Sequence, residues 1–599
     1  GLGDVYKRQV LAIALIALAV FALKPWQLQA PPTQEQPNIL LILVDDMGAS
    51  DPGVTVQGTA LTPNIDQLAA EGVQFDRHYA DATCRPARAA LLTGMNARKV
   101  GVPTNMRGVS PEVQTLPELL REAGYKTIHI GKWHLGELLP SAAPDRQGFD
   151  TWFGFLSALE TRYGTISKPA STYKSPYLRT GPDAPVQFEG HMTDLFTAKA
   201  VDTITDMSSM GKPWFINLWF FAPHRPLQPA ARFAKRFPDS EEGRYLAVLA
   251  QLDESIGAVI DALEQTGQRS NTLVVLASDN GATARHRDSN QPYAGKKEQY
   301  LEGGLRTTFI LNHPSLTPRH IPDPVFISDI APTLLGYAGI SPAESMQGRN
   351  LGPLLRGGNV EDVREYFWDV QTPYYARWGM MNLAEGRMVY MGEGGALVQH
   401  WLEGQQRFSP PVSPDSAELE SAKKAYEKWR NATRHVPLIV DNQSGSYRAY
   451  MGDSYRRTPG YGMWSMQVPL PVSNAEPVRI YQAGHFELKV ASGLIEAEMP
   501  GREFSFTTDR TGCHLITLST VYDWRLRKPD KSRTILRVYL GDEQVHEEKF
   551  SISADLRLDD YPPTYVGRDA GELRIYNDFI NTRQVSRYSD SVDCSAAVN

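Results

Sequence analysis

The sequence predicts an α/β protein in which a mainly parallel sheet is sandwiched by helices and followed by a small α+β subdomain and an extra β-rich module. Three observations carry this expectation. From Pro37 the chain alternates strand, loop and helix patterns; its most apolar strand-like runs end on polar clusters; and beyond about Arg356 short strand patterns replace the alternation. A length of 599 residues exceeds what one hydrophobic core sustains, which fits a large catalytic unit with appendages.

Ahead of the first strand, Lys7 and Arg8 precede an unbroken apolar run from Val10 to Leu23. That is shorter than the roughly 20 residues a spanning helix needs and matches the apolar core of an export signal. Residues 1–30 therefore read as a signal peptide or an N-terminal anchor, because Ala30 suits a cleavage site and Pro31 directly after it does not. The expected location is periplasmic or extracellular.

The catalytic unit is expected over 36–356. Ile39 to Val44 is apolar throughout, as a strand buried on both faces should be, and ends on Asp45 and Asp46. Trp214 to Phe221 likewise leads into Ala222-Pro223-His224, and Thr272 to Ala277 into Ser278-Asp279-Asn280-Gly281. In open α/β sheets ligands bind at the carboxyl ends of strands, where these polar groups fall. Between them, Tyr245 to Thr266 places Leu246, Leu249, Leu252, Ile256, Val259, Ile260 and Leu263 on one helical face.

The stretch 357–435 reads as the α+β subdomain, with strands at Arg364 to Val370 and Arg387 to Met391 and a charged helix at Ser416 to Thr433. From 436 to 599, strand patterns at Phe486 to Val490, His514 to Val521 and Ile535 to Leu540 predict an all-β module.

A net charge of -7 argues against general attraction to nucleic acid or to an anionic membrane surface. Membrane contact is expected only through the N-terminal segment, and an anionic substrate must be captured by local charge. The cysteines are Cys84, Cys513 and Cys594. If Cys84 is consumed chemically, the other two make an even pair that an exported protein can oxidise, and a disulfide or two thiols both fit.

The residues with chemical character cluster in short motifs. Asp45, Asp46, Asp279 and Asn280 bring four oxygen-bearing side chains to two strand ends, a donor set for Ca²⁺ or Mg²⁺; no zinc-spaced Cys or His pair stands among them. Singly, each strand-end Asp would cap a turn; two pairs at two strand ends favour a metal. Cys84-Arg85-Pro86-Ala87-Arg88 runs into Ala89-Ala90-Leu91-Leu92-Thr93-Gly94. Downstream stand Gly131-Lys132-Trp133-His134-Leu135-Gly136, Ala222-Pro223-His224-Arg225-Pro226, and Lys297 before Glu302-Gly303-Gly304-Leu305-Arg306.

In this order over roughly Pro37 to Leu355, the motifs resemble those of the formylglycine-dependent sulfatases of the alkaline phosphatase superfamily, whose signature is C-x-P-x-R with an A-A-L-L-T-G extension. The sequence departs at Ala87, where that family usually has Ser. The resemblance implies a sulfuric ester hydrolase with an alkaline phosphatase/sulfatase-like fold. It implies a maturase that converts Cys84 to formylglycine, and calcium held by Asp45, Asp46, Cys84, Asp279 and Asn280. Arg88, Lys132 and Lys297 are then the fixed cationic donors, with Lys297 rather than Lys296 selected by counting five residues back from Glu302.

His134 and His224 are the proton carriers, since histidine titrates near neutrality. The implied mechanism hydrates formylglycine to a gem-diol whose hydroxyl, activated by the metal and Arg88, attacks sulfur. His224 and Lys297 assist the departing alcohol, and His134 deprotonates the remaining hydroxyl to expel sulfate from a covalent intermediate. Serine, lacking that second hydroxyl, would stall. His78, His129, His191 and His400 have no such motif and read as structural or surface residues.

Two rivals remain open: a phosphodiesterase or phosphonate monoester hydrolase of the same superfamily, and an inactive sulfoglycan-binding protein. The substrate reads as an aryl sulfate or a sulfated carbohydrate. Tyr163, Tyr173 and Tyr177, in the loop from Ser157 to Glu189, fit either ring stacking or loop packing.

Overall fold

The computed structural model describes residues 36–433, apart from positions within 101–112, 137–141, 157–172, 284–288, 359–363 and 372–375 and residues 184 and 393, and beyond 433 the strands of two further sheets. The expected leader at 1–30, Tyr163, and the Cys513 and Cys594 pair lie outside the described residues.

Eleven strands form one mixed sheet. In chain order they are β1 (Asn38–Asp45), β2 (Val73–Tyr79), β3 (Lys126–Lys132), β4 (Thr151–Phe155), β5 (Tyr177–Thr180), β6 (Val186–Gln187), β7 (Trp214–Pro223), β8 (Thr272–Ser278), β9 (Arg306–Thr307), β10 (Phe309–Asn312) and β11 (Arg319–Phe326). Across the sheet they run β6-β5-β4-β3-β7-β1-β8-β10-β2-β9, with β11 alongside β2. The neighbours β4, β3, β7, β1 and β8 are parallel, so their carboxyl ends open on the same edge.

Strand β1 sits in the middle of this parallel group and is buried along its whole length. Its residues alternate between two cores, as a two-residue period requires. Leu40, Ile42 and Val44 pack with Phe196 and Ile204 of helix α3 (Met192–Met207) and Leu249, Leu252 and Ile256 of helix α4 (Glu241–Gln265). Ile39, Leu41 and Leu43 pack with Leu91 of helix α1 (Cys84–Thr93), Leu116 of α2 (Leu116–Glu122) and Leu334 of α5 (Ile330–Tyr337). Each such aliphatic side chain contributes on the order of 1.5–3 kcal/mol by leaving water. Helix α4 starts at Glu241, four residues ahead of the apolar stripe, because the Ser240 side chain caps it by accepting the Gly243 N–H at 3.0 Å.

A second, antiparallel sheet follows as a five-strand meander: β12 (Glu365–Gln371), β13 (Ala376–Asn382), β14 (Arg387–Gly392), β15 (Gly395–Leu402) and β16 (Arg407–Phe408). Helix α6 (Ser416–Ala432) covers it, with Tyr426 stacked on Trp378 and Trp429 on Phe367. Polar contacts clamp this sheet to the first. Trp368 Nε1 donates to Ala80 O at 2.8 Å, Arg98 pairs with Asp369 at 2.7 Å, and the Phe408 N–H donates to the buried Glu302 carboxylate at 2.8 Å. Strand β13 passes so close to Tyr300 that a Cβ on Gly379 would sit 2.4 Å from the tyrosine Cβ.

The expected strands beyond 436 are present as Phe486–Ala491, Leu515–Tyr522 and Thr534–Leu540, within antiparallel sheets of six and five strands. Among the described residues no helix is long and apolar enough to cross a membrane.

Valine suits a strand better than glycine, so Gly379→Val isolates the close approach to Tyr300. It is expected to cost about 1–3 kcal/mol by overpacking, read as a lower urea midpoint with an unchanged slope. An unchanged midpoint would mean that the two sheets adjust without cost.

Candidate active site

Four strand ends and one helix start meet at the open edge of the parallel group. Asp45 ends β1, and Asp46 follows in the left-handed region at φ 71°. That conformation is unusual outside glycine, and it turns the second carboxylate back toward the first. Asp279 and Asn280 follow β8, and the Asp279 N–H donates to Val44 O at 3.2 Å, tying the two strand ends together. Lys132 ends β3, with His134 just beyond, and His224 follows β7.

Helix α1 begins at Cys84, so the thiol stands at the positive end of the helix dipole. Arg88, one turn later, shares its face. The structure thus brings together every residue that the sequence assigned to the site.

The contacts form one charged lattice. Asp45 receives Lys132 Nζ at 2.5 Å, Arg88 Nη2 at 3.3 Å and the Cys84 thiol at 3.1 Å. Arg88 also donates to Asp279 through Nη2 at 2.8 Å and Nε at 3.1 Å, and to Lys132 O at 2.6 Å. Lys297 Nζ reaches Asp46 Oδ1 at 2.5 Å and Cys84 Sγ at 3.3 Å. Three carboxylates are set against three cations, and all but Lys297 are wholly or almost wholly buried. Opposite charges in such a medium need one another, because an unpaired buried ion costs several kcal/mol.

Burial and the flanking carboxylates Asp279 and Asp45 push the Cys84 thiol well above its ordinary range. A thiol held protonated is a poor nucleophile. Lys132, His224, Arg88 and Lys297 outweigh burial at Asp45 and hold its carboxyl well below the usual range. Burial, helped by Lys132, Arg85 and Arg88, keeps His134 neutral. Burial likewise lowers His224 to about 4, against the pull of Asp46. The His224 Nδ1 lies 2.6 Å from Arg225 O, which can only accept, so Nδ1 carries the proton. Its Nε2 lone pair then faces Asp46 Oδ2 at 3.7 Å.

The donor set fits a divalent cation. Asp45, Asp46, Cys84 and His224 each offer one atom, all within 4.8 Å of one another. Asn280 donates through Nδ2 to Asp46 Oδ1 at 2.7 Å, while its Oδ1 is buried without a hydrogen-bond partner among the described residues. A buried acceptor left unmatched is costly unless something binds it. Carboxylate and amide oxygens suit a hard ion.

Sequence reasoning did not find the supports. The Arg88 guanidinium lies 4.9 Å from the Trp219 ring centroid, and the Lys132 ammonium lies 5.3 Å from that of Phe221. Both aromatics sit inside an apolar strand run, where nothing separates a cation's partner from core filling. Tyr173 is fully buried and donates to His224 O at 2.9 Å, so it packs beneath the site and is not a stacking platform for substrate. His129 is a core residue: it is buried, contacts Asn217 Nδ2 at 3.0 Å, and desolvation lowers it to about 3.

A family profile described as Sulfatase matches residues 37–340. The N-acetylgalactosamine-6-sulfatase of Mus musculus is 33% identical over 370 residues, covering 56% of this chain and 70% of that protein. Arylsulfatase J of Mus musculus is 30% identical over 404 residues, covering 64% and 66%. The solved structure of Ps i-CgsB superposes with a TM-score of 0.59 at 25% identity, over 67% of this chain and 94% of that one. The chain belongs to the sulfatase family. Its fold is the alkaline phosphatase-like fold of these sulfatases, and its activity is the hydrolysis of sulfate esters.

Arg88→Ala would leave Asp279 and Asp45 without their shared partner. It is expected to lower stability by about 3–5 kcal/mol, measured by chemical denaturation. A loss below about 1 kcal/mol would show that the carboxylates are neutralised by other means.

Proposed function

We propose that this sulfatase acts on sulfate monoesters of a carbohydrate outside the cytoplasm, with formylglycine made from Cys84 by a maturase and with calcium at Asp45, Asp46, Asp279, Asn280 and residue 84. The observation that carries the reading is the placement of Cys84 at a helix start, 3.1 Å from Asp45 and 3.3 Å from Lys297, with Arg88 one turn behind. Support for a carbohydrate comes from the relatives named for N-acetylgalactosamine-6-sulfate and from the Ps i-CgsB structure, also solved in complex with k-i-k-neocarrahexaose. Support for export comes from the apolar run Val10 to Leu23. The oxygen-bearing donor set suits calcium or magnesium, and calcium is favoured by the resemblance to the formylglycine-dependent sulfatases.

Hydrated formylglycine supplies one hydroxyl to attack sulfur and a second whose deprotonation expels sulfate, while calcium supplies charge to hold the sulfate oxygens. The chain's own groups do the rest. Arg88, fixed by Asp279 and Lys132 O, orients the side chain at position 84. Lys132 and Lys297 hold positive charge where the ester's oxygens become more negative. Lys297, at the more open side of the site, delivers a proton to the departing alcohol. The neutral His224 beside it assists by holding that alcohol through its Nε2 lone pair. His134, kept neutral, accepts the proton of the second hydroxyl.

The test is a chromogenic aryl sulfate assay on protein co-produced with a formylglycine-generating enzyme. Cys84→Ala is expected to lower kcat by at least about a thousand-fold. Chelation should abolish turnover, with calcium restoring more than magnesium, and calcium should raise the melting temperature of the wild type but not of Asp46→Asn. Turnover that survives both Cys84→Ala and chelation contradicts the proposal.

A further inference from the structure

A cavity of about 200 Å³ is lined jointly by β2 and the second sheet, and none of its lining residues belongs to the catalytic lattice. Its walls include Arg77 of β2, Trp401 of β15 and Phe408 of β16. Glu403 and Gln406 join them from the turn between those last two strands, and Leu383 from the turn after β13. Sites for drug-sized ligands span about 300–1,000 Å³, so a cavity of this size takes a single ring and not a chain.

Arg77 is half-buried, and its charge is unmatched. Its Nε donates to Pro322 O, and the guanidinium carbon lies 4.4 Å from the Trp401 ring centroid. Among the described residues neither Nη group has a hydrogen-bond partner, and no carboxylate forms an ion pair with Arg77. The neighbouring Arg306 is saturated by comparison: it pairs with Glu302 at 2.8 Å and donates to Asp76 O at 2.8 Å and to Gln406 O at 2.9 Å. Burial, the largest effect, works against the charged form of Arg77, and Arg306 adds to it. A partly desolvated cation without a counter-charge carries a cost that an incoming oxyanion removes. Arginine offers sulfate or carboxylate a bidentate fork.

The other walls suit a sugar better than a bare anion. Trp401 and Phe408, edge to face with centroids 5.3 Å apart, present apolar surface to the C–H groups of a pyranose. Glu403 and Gln406 bring a carboxylate and an amide, groups that bond ring hydroxyls. A carboxylate in the wall repels a free inorganic anion and favours a ligand that carries hydroxyls beside its charge. The walls are also fixed in place. Trp401 Nε1 donates to Glu403 Oε2 at 2.8 Å, the Trp401 N–H donates to Gly386 O at 2.7 Å, and Phe408 is tied through its N–H to Glu302.

We propose that this cavity is a second carbohydrate site, separate from the active site, which takes one sugar ring bearing a sulfate or carboxylate. Arg77 holds the charged group, and Trp401 packs against the ring. A polymer anchored there stays at high effective concentration between cleavages, so the site serves polymeric substrate and not small esters. The inference rests on the sulfated-carbohydrate reading above, because the glycan substrate is what the site retains.

The experiment is affinity electrophoresis of Cys84→Ala protein through gels containing a sulfated galactan, a polyuronate or a neutral galactan. Retardation by an anionic polymer and not by the neutral one is expected, and whichever anionic polymer retards more identifies the charged group. Arg77→Met, which keeps an apolar stem over Trp401, should weaken binding about ten-fold, as for the loss of a charge-assisted hydrogen-bond pair. Arg77→Lys should restore part of it. Leu383→Trp fills the cavity while leaving Arg77 in place and should match Arg77→Met, so the result does not hang on the folding of one variant. In the active enzyme, Arg77→Met should raise KM on the sulfated galactan and leave aryl sulfate hydrolysis unchanged.

No retardation of the parent protein, retardation unaltered by Arg77→Met, or equal retardation by the neutral galactan overturns the inference. Retardation that depends on Arg77, in a protein whose active form hydrolyses aryl sulfate but no sulfated carbohydrate, would instead count against the substrate reading alone.

Discussion

The structure depends on the burial of the Asp45 carboxylate at the end of the central strand. Leaving water costs a charged carboxylate several kcal/mol, and the cost is offset only because Lys132 and Arg88 arrive at 2.5 and 3.3 Å from separate elements. Those elements are a parallel strand two places across the sheet and the helix that begins at Cys84. The alternating cores above and below β1 fix that strand, and β1 fixes the acid around which the cations assemble. The same arrangement places Cys84 beside two carboxylates and an ammonium, in contact distance of groups that only a folded chain brings together.

Much of this was legible in the residues. An unbroken apolar run predicts a strand buried on both faces, and β1, β7 and β8 are such strands, each leading into polar residues. Strand-end polarity is readable because a single such residue caps a turn, whereas pairs of carboxylate and amide groups at two strand ends call for a ligand, metal or partner ion. The motif positions Cys84, Arg88, Lys132, His134, His224 and Lys297, scattered over more than two hundred positions, converge as their order implied. The helix at Tyr245 began earlier than its stripe suggests, because a serine cap and acidic first turn carry no apolar period.

The supports were not legible, for a physical reason. Trp219, Phe221 and Tyr173 serve the site by lying beneath it, and their sequence context is that of ordinary core residues. Nor could alternation reveal how the second sheet docks. The approach of Gly379 to Tyr300 and the bond from Phe408 to Glu302 depend on residues far apart in the chain, with no local pattern. That docking gives the meander its functional meaning: through Gly379 against Tyr300 and Gln399 against the Glu302 N–H, it fixes the loop bearing Lys297.

The central claim is that position 84 acts as formylglycine. Mass spectrometry of the peptide spanning Asp76 to Arg98, from protein co-produced with the maturase, tests it most directly. The account predicts a peptide lighter by about 18 Da at position 84, the change from cysteine to the aldehyde. An unmodified thiol in protein that still hydrolyses sulfate esters would contradict it.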